Sequence, residues 1–313
     1  MEYVVAVDQC RHFGRAAALC NISQPTLSAQ LRKLEDELGV VLFDRNKQPI
    51  LPTEEGRAFI EQARTVLTEH RRFMMLAEPN ADGPSGEFKL AVIPTVAPHL
   101  MPLLLPDFTR RYPGIRLTVE ELPTEHIIES LDKDLIDAGI LATPLGLSRI
   151  QEEPLYYEPF FLFVGRGHRL EKSEKVTESM LRSEELWLLS EEHCLREQVL
   201  VVCSGRDRGG CFPSVHLKGG SLETVTSMVA GGHGSTLLPQ LAAESVRDRL
   251  SGTVIPMAKP APSREISLIH RRGHLKQRTL KLLKAQVESS IPGSLPRQKS
   301  KAIRVIGLSG RFK

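Results

Sequence analysis

The chain reads as an α/β protein preceded by a small helical unit, and three observations carry that reading. From residue 88 onward, short apolar runs alternate with helical patterns. Near the N-terminus two helical segments meet at a tight turn and are followed by two short strands around a polar tip. Between these parts runs one long amphipathic helix that stops at a stretch rich in Pro, Gly and Ser.

The 313 residues and 41% apolar content leave room for two or three ordinary cores. No apolar run approaches the ~18 to 20 residues of a membrane span. The opening MEYVVAVDQC lacks a basic region followed by an apolar one, so a cytoplasmic protein without a membrane partner is expected. In a reducing compartment Cys10, Cys20, Cys194, Cys203 and Cys211 point to free, catalytic or sensing thiols rather than structural disulfides. They lack paired C-x-x-C spacing, so neither a zinc site nor any other metal or cofactor is expected. Net charge is +3, yet Ser294 to Lys313 alone carry six basic and no acidic residues, which reads as a basic flexible tail over 292–313. Residues 1–80 hold ten Lys/Arg against eleven Asp/Glu. Bulk charge therefore makes no case for nucleic acid, and any such claim must rest on a local surface.

In chain order, Arg15 to Cys20 is an alanine-rich helical segment, Asn21-Ile22 a turn, and Ser23 a cap with Pro25 in the first turn that follows. The second helix runs to about Leu38 and stops at Gly39. Leu27, Leu31, Leu34 and Leu38 lie on one face, leaving Pro25, Ser28, Ala29, Arg32 and Lys33 on or near the other. Such a helix fits the major groove; the alternative is a small helical domain with a solvated charged face. Val40 to Arg45 and Ile50 to Thr53 read as the two strands of a wing, whose Arg45, Lys47 and Arg57 could meet phosphates or the minor groove. Thr53 caps a helix from Glu54 to about Ala77. Its stripe Ile60, Ala63, Leu67, His70, Met74 and Ala77, widened by Phe59, Val66 and Phe73, calls for a helical partner in a homodimer. His70 reads as packing.

FGRAAALCNISQPTLSAQLRKLEDELGVVLFDR followed by LPTEEG resembles the winged helix-turn-helix of LysR-type transcriptional regulators, over nearly all of residues 1 to 77. The resemblance implies a double-stranded promoter DNA partner. It puts Ser23, Gln24, Pro25, Thr26, Ser28, Arg32 and Lys33 on the recognition helix against DNA, with Arg45 and Lys47 on the wing. The expected divisions are a DNA-binding domain over 1–58, a dimerising linker helix and hinge over 59–86, and a regulatory domain over 87–291.

Beyond the linker, apolar runs at Phe88–Ile93, Leu117–Leu122, Ile136–Leu141, Phe160–Val164, Leu186–Leu189, Ser235–Leu238 and Ile266–His270 read as strands of mainly parallel sheets. In such sheets ligands sit at the carboxyl ends of strands, against helix N-termini. Thr95, Thr124 and Cys194 each follow a strand in that position, and Ser221 begins another helix that Gly231-Gly232-His233-Gly234 ends. Each threonine or serine also reads as a plain cap. Ser190 is expected to cap a helix beginning at Glu191, which places Cys194 in its first turn. There the helix dipole, His193 and Arg196 favour a thiolate, while Glu191, Glu192 and Glu197 oppose it. On one continuous helix, nine residues separate Cys194 from Cys203 by about 13.5 Å. A disulfide needs Cα atoms roughly 4.4 to 6.8 Å apart, so bonding these sulfurs would break the helix. The bland alternative is two buried structural thiols.

This half is similar to the effector domain of the same family, which resembles two-lobed type 2 periplasmic binding proteins. The implied lobes are 87–157 with 264–291, and 158–263. VIPTV, SEEHCLREQ with Cys203 nine residues on, GGSLETVTSMVAGGHGSTLLP and ISLIHRRG resemble the peroxide-sensing OxyR-type branch. That resemblance implies a transcriptional activator, not an enzyme. Cys194 would be the peroxidatic thiol and Cys203 the resolving one, with Thr95, Thr124, His193, Glu197 and Arg271 supporting hydrogen peroxide; Glu197 stands where the branch usually has aspartate. It further implies a homodimer or homotetramer, RNA polymerase as a partner and a cellular thiol reductant. Cys211 adds a third thiol in the Gly205 to Gly210 insertion. Two rival readings are a conventional regulator binding a small organic anion between the lobes, and a thiol peroxidase.

Overall fold

The computed structural model describes residues 1–76, 84–182, 184, 186–203, 221–274 and 276–308. Cys211, the Gly205 to Gly210 insertion and most of the linker lie outside them. The chain divides into two compact units, Met1–Ala81 and Asp82–Lys313.

The first unit packs α1 (Glu2–Cys10), α2 (Phe13–Leu19) and α3 (Gln24–Leu38) around a core that includes Val4, Val7, Ala16, Leu27 and Leu31. Full burial of Leu27 and Leu31 stabilises the unit by about 1.5–3 kcal/mol each. Ser23 caps α3 by accepting from the Thr26 N–H at 3.3 Å, Pro25 occupies the first turn, and Gly39 ends the helix at φ 68°. The wing strands β1 (Phe43–Asp44) and β2 (Leu51–Pro52) pair antiparallel. Thr53 Oγ1 then accepts from the Gly56 N–H at 2.8 Å at the start of α4 (Glu54–Leu76). Arg64 on α4 is tied to Asp8 on α1 at 2.6 Å, both side chains largely buried.

Gly56 marks the tightest approach in this unit. A Cβ there would fall 2.3 Å from the Leu42 carbonyl oxygen and 2.8 Å from its Cα, and neither backbone atom can yield. Gly56→Ala is therefore expected to cost about 2 kcal/mol, in the range of overpacking. The measurement is the thermal midpoint of the full-length chain, and an unchanged midpoint would disprove the close approach of wing and helix.

The second unit is built on a mixed sheet. β3 (Gly86–Val92) pairs parallel with β4 (Ile115–Glu121) on one side and with β5 (Ala138–Thr143) on the other. The connections are α5 (Ala97–Arg111) and α6 (Thr124–Asp132). Every residue of β5 is buried, as a strand covered on both faces requires. β6 (Ile150–Val164) then leads through α7 (Glu178–Leu181), α8 (Cys194–Val202), α9 (Leu222–Ala230), β7 (Ser235–Pro239), α10 (Gln240–Arg249) and β8 (Thr253–Pro256). β9 (Ala261–Arg271) returns to α11 (Gln277–Ser290) and β10 (Ile303–Val305). β6 and β9 run antiparallel from Ile150↔Arg271 to Pro159↔Ser263, while the far end of β6 pairs with β7 and β8. Two hydrophobic clusters result. One is built on β3, β5, α5, α6 and α11; the other centres on Phe160 to Val164, Trp187, Val225, Val229 and Leu237.

Four expectations need correction. The sheet is not mainly parallel, because β5, β7 and β8 all meet their long neighbours antiparallel. Leu186–Leu189 makes only a single bridge, Leu186↔Ser235, where Trp187 donates its N–H to the Ser235 carbonyl at 2.8 Å and its indole to the His233 carbonyl at 2.8 Å. The helix after it starts at Cys194 rather than Glu191, since residues 190–193 close a turn in which the His193 N–H donates to the Ser190 carbonyl. The stretch after 292 is not a flexible tail over its described part. β10 pairs parallel with the start of β9, and Leu295, Ile306 and Leu308 are buried. Among the described residues no helix is long and apolar enough to cross a membrane.

Candidate functional site

Thr95 and Thr124 are set at the same end of two adjacent strands by register. β3 and β4 are parallel with Val92 opposite Glu121, and each threonine stands three residues beyond its half of that pair. Both are buried at the carboxyl ends of adjacent strands. Neither caps a helix: α5 has Val96 at its N-cap with no side-chain bond, and Thr124 is the first residue of α6 behind Pro123. The Thr95 hydroxyl instead accepts from Arg264 Nη1 at 2.9 Å, and its carbonyl accepts from Arg264 Nη2 at 3.1 Å. The Thr124 hydroxyl, also buried, has no hydrogen-bond partner among the described residues. An orphaned polar atom of this kind costs about 1–3 kcal/mol unless something small and polar meets it.

Arg264 is the residue that sequence reasoning missed. It lies opposite Glu158 in the β6–β9 register, and both side chains are 1% exposed. Its Nε donates to Glu158 Oε2 at 2.8 Å, and Glu158 Oε1 accepts the Leu241 N–H at 2.8 Å, in the first turn of α10. A buried guanidinium thus has its carboxylate, and that carboxylate also takes up an N–H at a helix end. The charge is felt at His99 on α5, whose pKa is pushed down to about 4 by burial and by the neighbouring Arg264 and Arg249. The expected arginine, Arg271, is placed elsewhere. It sits at the far end of β9, seven residues from Arg264, half-exposed and paired with Asp134 at 2.9 Å. Seven residues of strand span roughly 23 Å, so it serves a different edge of the sheet.

Cys194 is the first residue of α8 and Cys203 its C-cap, one unbroken helix apart. Both are buried. They belong to different cores: Cys194 lies in the cluster that holds Val96, Ala97 and Ile127, Cys203 in the one around Phe163 and Trp187. Helix α8 therefore places its first sulfur in the lobe of Thr95 and Thr124 and its last in the other. Burial, with Glu178 adding negative charge, pushes the Cys203 thiol up to about 12. In this state it is a thiol at any physiological pH. Burial also holds His193 below the usual imidazole range, opposed only in part by Glu192. At neutral pH His193 is thus an uncharged base rather than the cation the sequence suggested. Arg196 turns back to donate to the Leu189 carbonyl at 3.1 Å. Glu197 lies in the first turn of α8, half-buried.

On the first unit, Ser23, Gln24, Pro25 and Thr26 are exposed and Ser28 half-buried at the N-cap and first turns of α3, and Arg32 and Lys33 are exposed further along it. Arg45 stands apart from this set. It is ion-paired with the buried Glu35 and stacked 5.6 Å from the Phe13 ring centre, so it fastens the wing to the helices. Lys47 is exposed, 3.7 Å from Asp44. Along α4, Phe59, Val66 and Phe73 stand exposed at seven-residue spacing.

Residues 1–57 match the family model of the bacterial regulatory helix-turn-helix protein, lysR family, and residues 81–290 that of the LysR substrate binding domain. The chain is 40% identical over 273 residues to the hydrogen peroxide-inducible genes activator of Dickeya chrysanthemi, covering 87% of this chain and 88% of that one. Its fold is similar to full-length OxyR from Pseudomonas aeruginosa, solved as a cysteine variant, with a TM-score of 0.78 and 32% identity over 93% of this chain and 97% of that one. A peroxide-bound cysteine mutant of Corynebacterium glutamicum OxyR matches with a TM-score of 0.62 and 27% identity over 92% and 90% of the two chains. With a helix-turn-helix that offers the N-terminal end of α3, a two-lobed α/β unit behind it and agreement over most of its length, the chain belongs to the LysR family of bacterial transcription regulators.

Proposed function

We propose that this protein is a cytoplasmic transcriptional activator that senses hydrogen peroxide through Cys194 and Cys203 and controls oxidative-stress genes. One observation carries the reading: the two thiols lie at opposite ends of a single helix and in separate cores, with one of them in the lobe that holds the two buried threonine hydroxyls. Thr95 already accepts from Arg264 and keeps its own O–H to donate, and Thr124 offers a hydroxyl unmatched among the described residues. Together they suit a molecule with two adjacent oxygens. Neutral His193, next to Cys194 in the chain, takes its thiol proton; the thiolate attacks one peroxide oxygen, the O–O bond breaks, and Cys194 becomes a sulfenic acid as the departing hydroxide takes that proton and leaves as water. The Cys203 thiol then displaces water from that sulfenic acid to give the disulfide. Because Cys203 is held as a thiol by burial, this second step waits for α8 to open. A cellular dithiol returns both to thiols.

The opened segment alters the subunit arrangement of a homodimer or homotetramer, in which the exposed Phe59, Val66 and Phe73 row supplies a pairing surface. Recognition helices at a new spacing then present RNA polymerase with a different complex on double-stranded promoter DNA. Mass mapping of cysteines in the full-length protein after dilute peroxide tests the chemistry. A Cys194–Cys203 bond is expected, and a bond from Cys194 to any other cysteine, or none, would overturn it. On DNA, Arg32→Ala is expected to weaken operator binding by about 1–3 kcal/mol more than nonspecific binding if it reads a base. Equal losses would reduce it to a phosphate contact.

A further inference from the structure

The chain does not end at α11. Past Leu295 it crosses β6, where the Tyr157 N–H donates to the Pro296 carbonyl at 2.7 Å, and Lys299 reaches Glu265 at 3.5 Å. It then adds β10 to the start of β9, with Ile303 opposite Ala261 and Val305 opposite Ser263. The next residue meets the thiol helix. Ile306 donates its N–H to the Ser263 carbonyl at 2.8 Å, and its own carbonyl accepts from the side-chain amide of Gln198, in the middle of α8, at 3.2 Å. Gln198 is fully buried and its Oε1 has no partner among the described residues, so this bond is the amide's anchor. Ile306 is buried in the same cluster as Cys203, and Leu308 in the cluster of Cys194. Arg304, between them and Ile303, pairs with Glu178 of α7, the carboxylate whose charge reaches Cys203.

We propose that residues 302–308 form a strap that holds α8 in its helical state, with Gln198 as the positioning residue, and so sets the rate at which Cys203 reaches the Cys194 sulfenic acid. The strap grips α8 between the two sulfurs, which is the stretch that must unwind for them to meet. Among the described residues the Arg264 side chain bonds to Glu158 and Thr95, while the strap's hydrogen bond to α8 falls on Gln198, so it acts on the second step and not on the first. The inference rests on the thiol pairing proposed above.

The test separates the steps in the full-length protein with hydrogen peroxide as oxidant. Rapid-quench samples are split between a sulfenic-acid trap and a thiol-blocking reagent, and Cys194 and Cys203 are followed by mass. Two variants are compared with wild type: a stop after Lys301, and Gln198→Met, which keeps the tail and removes the donor at similar volume. In both, sulfenic acid formation is expected to stay within about twofold while disulfide closure quickens about tenfold, the equivalent of one buried hydrogen bond. Closure at the wild-type rate or slower in Gln198→Met overturns the strap, whether or not the truncated chain folds. Absence of any sulfenic acid on wild-type Cys194 overturns the thiol pairing itself, a result distinct from unchanged closure.

Discussion

Cys194→Ser is expected to erase the response to peroxide while leaving binding to DNA in place. Serine is nearly the same size, so the N-terminal turn of α8 keeps its packing in the cluster around Val96 and Ile127. Its hydroxyl neither ionises near neutral pH nor oxidises to a sulfenic acid, and the first chemical step disappears. The helix-turn-helix unit has its own core of Val7, Leu27, Leu31 and Phe43, which the substitution does not touch. Footprinting on a promoter before and after dilute peroxide measures both properties at once. A footprint that still changes with peroxide in the serine variant would sink the sensor reading, and loss of the footprint altogether would show that Cys194 has a structural part in DNA binding.

The second large effect is on stability. Arg264→Met leaves Glu158 with a buried charge, 1% exposed, and among the described residues only the Leu241 N–H to satisfy it. Breaking one half of a buried ion pair costs about 3–5 kcal/mol, and the Thr95 hydroxyl loses its donor in the same change. The double variant with Glu158→Gln removes the stranded charge and is expected to recover part of the loss, so the cycle isolates the pair. Chemical denaturation of the four proteins provides the numbers. Arg271→Ala is the control: its partner Asp134 is reached from a half-exposed position, and a pair of that kind contributes at most about 1 kcal/mol. If the two arginines cost the same, Arg264 is not the buried charge centre described here.

The contrast between those arginines shows what a sequence discloses. Local rules carried the N-terminal unit: Ser23, Gly39 and Thr53 occupy the turns and caps that their chemistry suits. They also found Ser221, which caps α9 through the Thr224 N–H. They failed where partners are distant. Arg264 and Glu158 are more than a hundred residues apart, and a Ser-Arg-Glu run reads as surface until the register of β6 and β9 sets it opposite Glu158. Ser190 reads as a cap, yet its hydroxyl is buried with no partner among the described residues and the turn is closed by backbone. β6 was seen only in its last third, because Glu152, Glu153, Pro154 and Glu158 break its apolar pattern. In the tail the six basic residues masked the run Ile303, Val305, Ile306 and Leu308, an apolar signal that was present and outvoted by charge.

The two cores that hold Cys194 and Cys203 have a thermodynamic corollary. To join, at least one sulfur must abandon a packed interior, so the oxidised chain forfeits apolar burial of about 25 cal/mol for every Å² exposed. Under the proposed pairing, a bridge formed at such a loss would lie uphill of an unstrained one and yield readily to a dithiol. On that proposal the alarm is self-cancelling: once oxidant is exhausted, refolding of the helix would supply the drive that returns the regulator to rest.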